Sequence, residues 1–175
     1  MNMANLQTIV YLSQSSPTTC GSNGFDLTDQ TLSILVRHNY PSDTFCNKPV
    51  TKTTLQCGDD IYGILDEVSG YLYMYGNGST FKNNIYGDVD NIALLNYRNI
   101  IKTINIDEGI TTIAEFFFNG FSQINNIIFP KSLTTIQRAA FRNCTSLETI
   151  SIPSSITSIG TYPFGSCLQL KEILV

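Results

Sequence analysis

Apolar residues return every 23 positions through the last third of the chain. Ile104, Ile127, Ile150 and Ile173 form one column, and Ile106, Phe129, Ile152 and Val175 form the next. Ile110, Leu133 and Ile156 make a third, and Ile113, Ile136 and Ile159 a fourth. Phe118, Phe141 and Phe164 mark a fifth column, followed by Phe121, Cys144 and Cys167. Ile101, Ile124, Leu147 and Leu170 close the unit, and no insertion breaks its phase. A fixed period in this range predicts a solenoid, because each unit buries its apolar face only against its neighbours. Each unit reads L-x-x-I-x-I-P-x-x-I-x-x-I-x-x-x-x-F-x-x-C-x-x, with variations. The alternation in L-x-x-I-x-I predicts a strand with one buried face. Pro130 and Pro153 end that strand, since proline has no N–H to give a ladder, and Asp107 takes their place in the first unit. Ala139–Asn143 predicts a short helical turn on the opposite side.

Upstream the pattern changes twice. Residues 1–50 open on Asn5–Tyr11, which resembles the strand sequence Ser146–Ile152, and continue through loop chemistry to the apolar strand Leu32–Val36. This region predicts the irregular end of a preceding repeat array. Residues 51–95 carry two β-rich runs, Ile61–Leu65 and Tyr71–Tyr75, separated by the Gly-ended turn DEVSG. They predict a β-hairpin cap block, which covers the first unit of the array. Tyr86–Asn91 predicts a further turn. Residues 96–175 are then the repeats, cut mid-repeat at Val175. An array that stops on an open strand is expected to be a slice of a longer one, or to complete itself by end-to-end self-association.

The unit SLETISIPSSITSIGTYPFGSC resembles the BspA-type leucine-rich repeat. The block CGDDIYGILDEVSGYLYMYGNG is similar to the segment that introduces such arrays, with Cys57, Gly58, Leu65, Asp66, Gly70, Leu72, Gly76 and Gly78 on matching positions. Ala114 and Phe121 depart from the repeat, where glycine and cysteine are usual. The resemblance covers nearly the whole chain. It implies a strongly β-rich α/β fold, a leucine-rich repeat solenoid wound as a right-handed superhelix of 23-residue repeats. It also implies a secreted or cell-surface protein without catalytic residues, adhering to a protein ligand of the host matrix or of another cell.

Strand residues between the inward apolar positions face the concave side of such a fold and stack in ladders. Here they are Thr103, Asn126, Thr149 and Glu172 in one ladder and Asn105, Ile128, Ser151 and Leu174 in the other. Mostly small and polar, they suit a broad, wet protein-binding surface better than a small-molecule pocket. Mere solvation of the sheet is the alternative reading, and both stay open.

Composition narrows the functional classes. The 175 residues are 42% hydrophobic but only 14% charged, with a net charge of −4. Scattered basic residues argue against nucleic acid. No run approaches the ~20 apolar residues that span a bilayer. The first residues lack the basic and apolar regions of a signal peptide, so an intracellular protein–protein interaction scaffold is the second hypothesis. Of the five cysteines, Cys144 and Cys167 share a repeat column and suit a packed interior. Cys20, Cys46 and Cys57 lie in loop-rich sequence, and Cys20 with Cys46 is the preferred disulfide pair, expected in an oxidising compartment. There is no C-x-x-C and His38 is the sole histidine, so neither a zinc site nor a cofactor is expected.

Candidate chemistry is thin. Asp59–Asp60, Asp88 with Asp90, and Asp107–Glu108 are carboxylate pairs that acid–base work or calcium would need, yet each sits at a turn or strand end. Gly76-x-Gly78 precedes no helix that would hold a phosphate. Asn77 and Asn143 begin N-x-S/T triplets, and Asn143 is expected to cap a turn between repeats. No nucleophile is paired with a base. An enzyme acting on glycans is the remaining hypothesis, resting on the carboxylate pairs alone.

Overall fold

The computed structural model describes residues 8–11, 33–36, 44–45, 48–49, 54–82 and 92–175. Cys20, Cys46, His38, Asp88, Asp90 and the turn expected at Tyr86–Asn91 lie outside the described residues. The chain forms two compact units, one comprising Met1–Thr54 with Ile64–Asp66, the other Leu55–Gly63 with Glu67–Val175.

In the first unit, β1 (Thr8–Tyr11) and β2 (Ser33–Val36) pair in parallel, Thr8 opposite Ser33 and Tyr11 opposite Val36. Ile34 and Val36 are buried. Strands β3 (Thr44–Phe45) and β4 (Lys48–Pro49) form a small antiparallel pair.

The second unit is built from short strands stacked rung on rung. It contains β5 (Thr54–Gln56) from Leu55 onward, β6 (Ile61–Asp66) as far as Gly63, β7 (Tyr71–Gly76) and β8 (Gly78–Ser79), then a short helix, α1 (Ile92–Leu95). The periodic region supplies β9 (Thr103–Ile106), β10 (Ile110–Ile113), β11 (Asn126–Ile128) and β12 (Thr135–Ile136). It continues with β13 (Thr149–Ser151), β14 (Ser158–Ile159) and β15 (Glu172–Leu174). Two lines of strands result. One sheet runs β11-β9-β7-β6-β5, with β13-β15 as a separate pair, and the other runs β14-β12-β10-β8. The periodic pairs are parallel and their partners lie 23 positions apart: Asn126 opposite Thr103, Thr135 opposite Thr112, Ser158 opposite Thr135, Glu172 opposite Thr149.

That register turns the sequence columns into a continuous core. Ile104, Ile127 and Ile150 are buried one above another, as are Ile113 with Ile136, and Ile101 with Ile124 and Leu147. Phe118, Phe141 and Phe164 stack with ring centroids 5.3 and 5.7 Å apart and planes within 19° of parallel. In β15 and after it, Ile173 and Leu174 are about half exposed and Val175 fully so.

Two glycines bracket β7, the strand that meets the first rung. Gly70 has φ 74°, and a Cβ there would fall on the carbonyl oxygen of Ile100. The Gly70 carbonyl in turn accepts the Lys102 and Thr103 N–H groups at 2.8 and 3.2 Å. Gly76 has φ 122°, and its Cβ would strike the Asp60 carbonyl. Only glycine meets both demands.

The expected helical turn at Ala139–Asn143 is instead a run of tight turns. Arg142 N–H bonds to the Ala139 carbonyl, but the Phe141 and Asn143 N–H groups donate to Pro163 and Gly165 in the following rung. Ala139 and Asn143 take left-handed backbone, φ 50° and 62°, which no helix allows. Bonding between rungs outcompetes the local helix.

Candidate functional site

Six of the eight ladder residues flank a buried isoleucine, as strand alternation places them, while Ile173, between Glu172 and Leu174, is half exposed. In β9, Ile104 and Ile106 are buried and Thr103 and Asn105 half-exposed, and in β11 Asn126 and Ile128 flank buried Ile127. Thr149 and Ser151 flank buried Ile150 in the same way. Pairing brings Thr103 opposite Asn126, Asn105 opposite Ile128, Thr149 opposite Glu172, and Ser151 opposite Leu174. The ladder is not one continuous sheet, because β11 and β13 belong to separate sheets. At that step Ser146 N–H donates to the Ser122 carbonyl at 3.1 Å, one turn ahead of the strands.

Both rows continue beyond the repeats. Tyr71 lies opposite Thr103 and Tyr73 opposite Asn105, so tyrosines lead each row. The Asn105 side-chain amide donates to the Tyr71 hydroxyl at 2.9 Å, which orients both groups. Tyr73 stacks on Tyr75 at 6.2 Å, and Tyr75 packs near Tyr62 at 5.8 Å. Ile128 and Leu174 are 47% and 50% exposed, enough to present apolar surface among polar neighbours. Glu172 is the one charged member of the eight. Beside the rows, Lys171 Nζ meets the Glu148 carboxylate at 3.0 Å in an exposed pair that contributes little to stability.

The second line of strands carries a feature the sequence reading missed. Thr134 and Thr157 hydroxyls donate to the carbonyls of Thr111 and Thr134, 23 positions back, and the Thr111 hydroxyl donates to Gly78. Ser132 and Ser155 hydroxyls likewise donate to Ile110 and Leu133. The signal was present as I-T-T-I, L-T-T-I and I-T-S-I in the same period. Thr80, buried at the start of this line, accepts the Ala114 N–H at 2.8 Å. No local pattern announces that bond.

The candidate carboxylates resolve differently. Glu108 accepts the N–H groups of Lys131 and Ser132, each at 2.9 Å. The bond from Lys131 is the main reason its carboxyl lies below the usual range. This group clamps the turn of the next rung. Asp59 and Asp60 are exposed at the turn into β6, and the Asp60 carbonyl accepts Asn77 N–H at 3.2 Å. Among the described residues no three His, Cys, Asp or Glu side chains come together to hold a metal ion. Asn143, placed by sequence at a turn between repeats, bonds through its amide to Asn119 at 3.2 Å.

The cysteines among the described residues are free thiols and buried. Burial pushes the Cys57 thiol up to about 12. Cys144 and Cys167 donate to the carbonyls of Phe118 and Phe141, each 26 positions back. The Cys144 thiol is raised by its hydrogen bond to Cys167 and by burial, and the same bond holds Cys167 below the usual range.

Residues 88–175 match the family model of the BspA type leucine-rich repeat region, in six copies. No curated protein matches the chain. Among solved structures it is similar to a leucine-rich repeat protein from Eubacterium ventriosum, with 19% identity over 69% of this chain and 39% of that one, at a TM-score of 0.52. A leucine-rich repeat protein from Bacteroides ovatus gives 20% identity over 67% and 40%, TM-score 0.38. A leucine-rich cell surface protein from Faecalibacterium prausnitzii gives 17% over 66% and 41%, TM-score 0.33. The chain thus spans about two-fifths of each of these structures.

Proposed function

Because the chain belongs to the BspA-type leucine-rich repeat family, we propose that it is a non-enzymatic cell-surface recognition module that adheres to a protein ligand through its ladder face. The fold in this reading is a right-handed solenoid of 23-residue repeats. The ligand is a protein of the host matrix or of another cell's surface.

One observation carries the reading: two rows of half-exposed and exposed hydroxyl, amide and apolar side chains, in register within β9–β11 and within β13–β15. Such a surface offers many weak hydrogen bonds and two apolar footholds, Ile128 and Leu174. Affinity then comes from a few buried contacts ringed by polar ones.

The test is adhesion of the purified chain to immobilised extracellular-matrix proteins. Replacing Asn126, Ile128 and Ser151 together with lysine should lower binding at least about tenfold, since interfaces depend on few anchors. Far-UV circular dichroism should stay unchanged because all three point to solvent. Retained binding by a folded triple variant rejects this face.

A further inference from the structure

One column of the repeat alternates in size: Phe116, Ala139, Tyr162. All three take left-handed backbone, with φ of 58°, 50° and 53°, a costly conformation for bulky side chains. The gap at Ala139 opens a pocket of about 340 Å³ between the two aromatic residues. In a neighbouring column Gly165 keeps the space clear, since a Cβ there would stand 3.2 Å from the Tyr162 Cβ and 3.7 Å from the Arg142 Cγ.

Two of the chain's ten basic residues converge on this pocket, although the chain carries a net charge of −4. Arg138 is committed: its guanidinium lies 3.3 Å from Glu115 and 5.4 Å from the centre of the Phe116 ring. Arg142 is exposed and has no ion-pair partner among the described residues. Tyr162 is 77% exposed, and it lines the pocket together with Ser166. The pocket shares no residue with the ladder rows.

We propose that this pocket binds a sugar acid, a pyranose ring bearing a carboxylate. The unpaired Arg142 guanidinium matches a carboxylate with two parallel N–H groups. The open face of Tyr162 offers an apolar platform to the C–H face of the ring, and the Ser166 hydroxyl can exchange a hydrogen bond with its hydroxyls. The volume falls at the small end of ligand pockets, about 300–1,000 Å³, which suits one monosaccharide.

The probe is D-glucuronate, titrated into the full chain and followed by calorimetry and amide chemical shifts. Saturable binding with shifts at Arg142, Tyr162 and Ser166 is expected, with D-glucose and acetate each at least about tenfold weaker. R142Q should weaken glucuronate at least about tenfold, because it removes the charge-assisted pair. A139F extends the aromatic column into the gap and should abolish binding. Circular dichroism establishes that each variant is folded, and R142Q, altering an exposed side chain, decides the matter if A139F is not. The proposal is overturned if the parent chain shows no saturable binding, or if glucose or acetate binds as tightly as glucuronate. Folded R142Q binding as tightly as the parent overturns it equally.

Discussion

Truncating Phe141 to alanine tests whether stability is carried by contacts between rungs. Phe141 is fully buried and meets three rings: Phe118 at 5.3 Å, Phe164 at 5.7 Å and Phe129, edge-on, at 5.7 Å. A buried Phe→Ala change costs about 3–5 kcal/mol, and three ring contacts place this site near the middle, about 4 kcal/mol. Phe164 occupies the same column but is half-buried and stacks on one ring among the described residues. Losing one ring contact rather than three, at about 1 kcal/mol each, predicts about 2 kcal/mol for Phe164→Ala. Phe118→Ala should match Phe141→Ala, because Phe118 is fully buried and also meets three rings. Urea titration followed by far-UV circular dichroism reads all three, in a chain without tryptophan. A 4 kcal/mol loss is a large share of the about 5–15 kcal/mol typical of a domain. Equal losses at Phe141 and Phe164, or less than about 1 kcal/mol at Phe141, would refute the neighbour-stacking account.

Three other outcomes follow from single bonds. Thr80→Val leaves the buried Ala114 N–H without its acceptor and should cost about 1–3 kcal/mol in the same urea titration, whereas Thr80→Ser should retain most of the stability. Alkylation at pH 8, read peptide by peptide by mass spectrometry, should modify Cys167 before Cys57 or Cys144; equal rates in the folded chain would contradict the thiol environments. Because the folded Glu108 carboxyl lies below its unfolded value, its contribution to stability is present above the unfolded value and lost as pH falls through the folded one. Glu108→Gln should flatten that acid-side loss in pH-dependent melting curves, and an unchanged slope would remove Glu108 from the account.

The period in the sequence carried the core almost completely. Inward isoleucines such as Ile104, Ile127 and Ile150 needed only their spacing, because a fixed repeat allows one stacking register. Strand alternation alone placed Asn126 and Ile128 outward. The far side of each rung was harder, since its conformation is set by bonds to the next rung. Nothing about Phe116 or Tyr162 as residue types signals left-handed backbone, and Ala139–Asn143 looked helical by composition. Glu108 read as half of a carboxylate pair because its partners, Lys131 and Ser132, become neighbours only after stacking. Likewise Ile92–Leu95 is too short an apolar run for periodicity to separate helix from strand, and it forms α1.

A repeat that builds its own core also copies its own surface, so specificity must come from positions where a column departs from its theme. The outward row Asn105, Ile128, Ser151, Leu174 alternates polar with apolar, setting its footholds two rungs apart, about 10 Å at the spacing of neighbouring strands. The column Phe116, Ala139, Tyr162 alternates large with small and opens a cavity where a uniform column would be closed. Tyr71 and Tyr73 lead the two ladder rows with aromatic groups found nowhere else in them. Ile128, Leu174 and Tyr162 are departures that lie at the surface, whereas Tyr73, Phe116 and Ala139 are buried against the repeat. In the proposed reading, stability rests on the recurring buried columns and recognition on exposed departures from them such as Ile128, Arg142 and Tyr162.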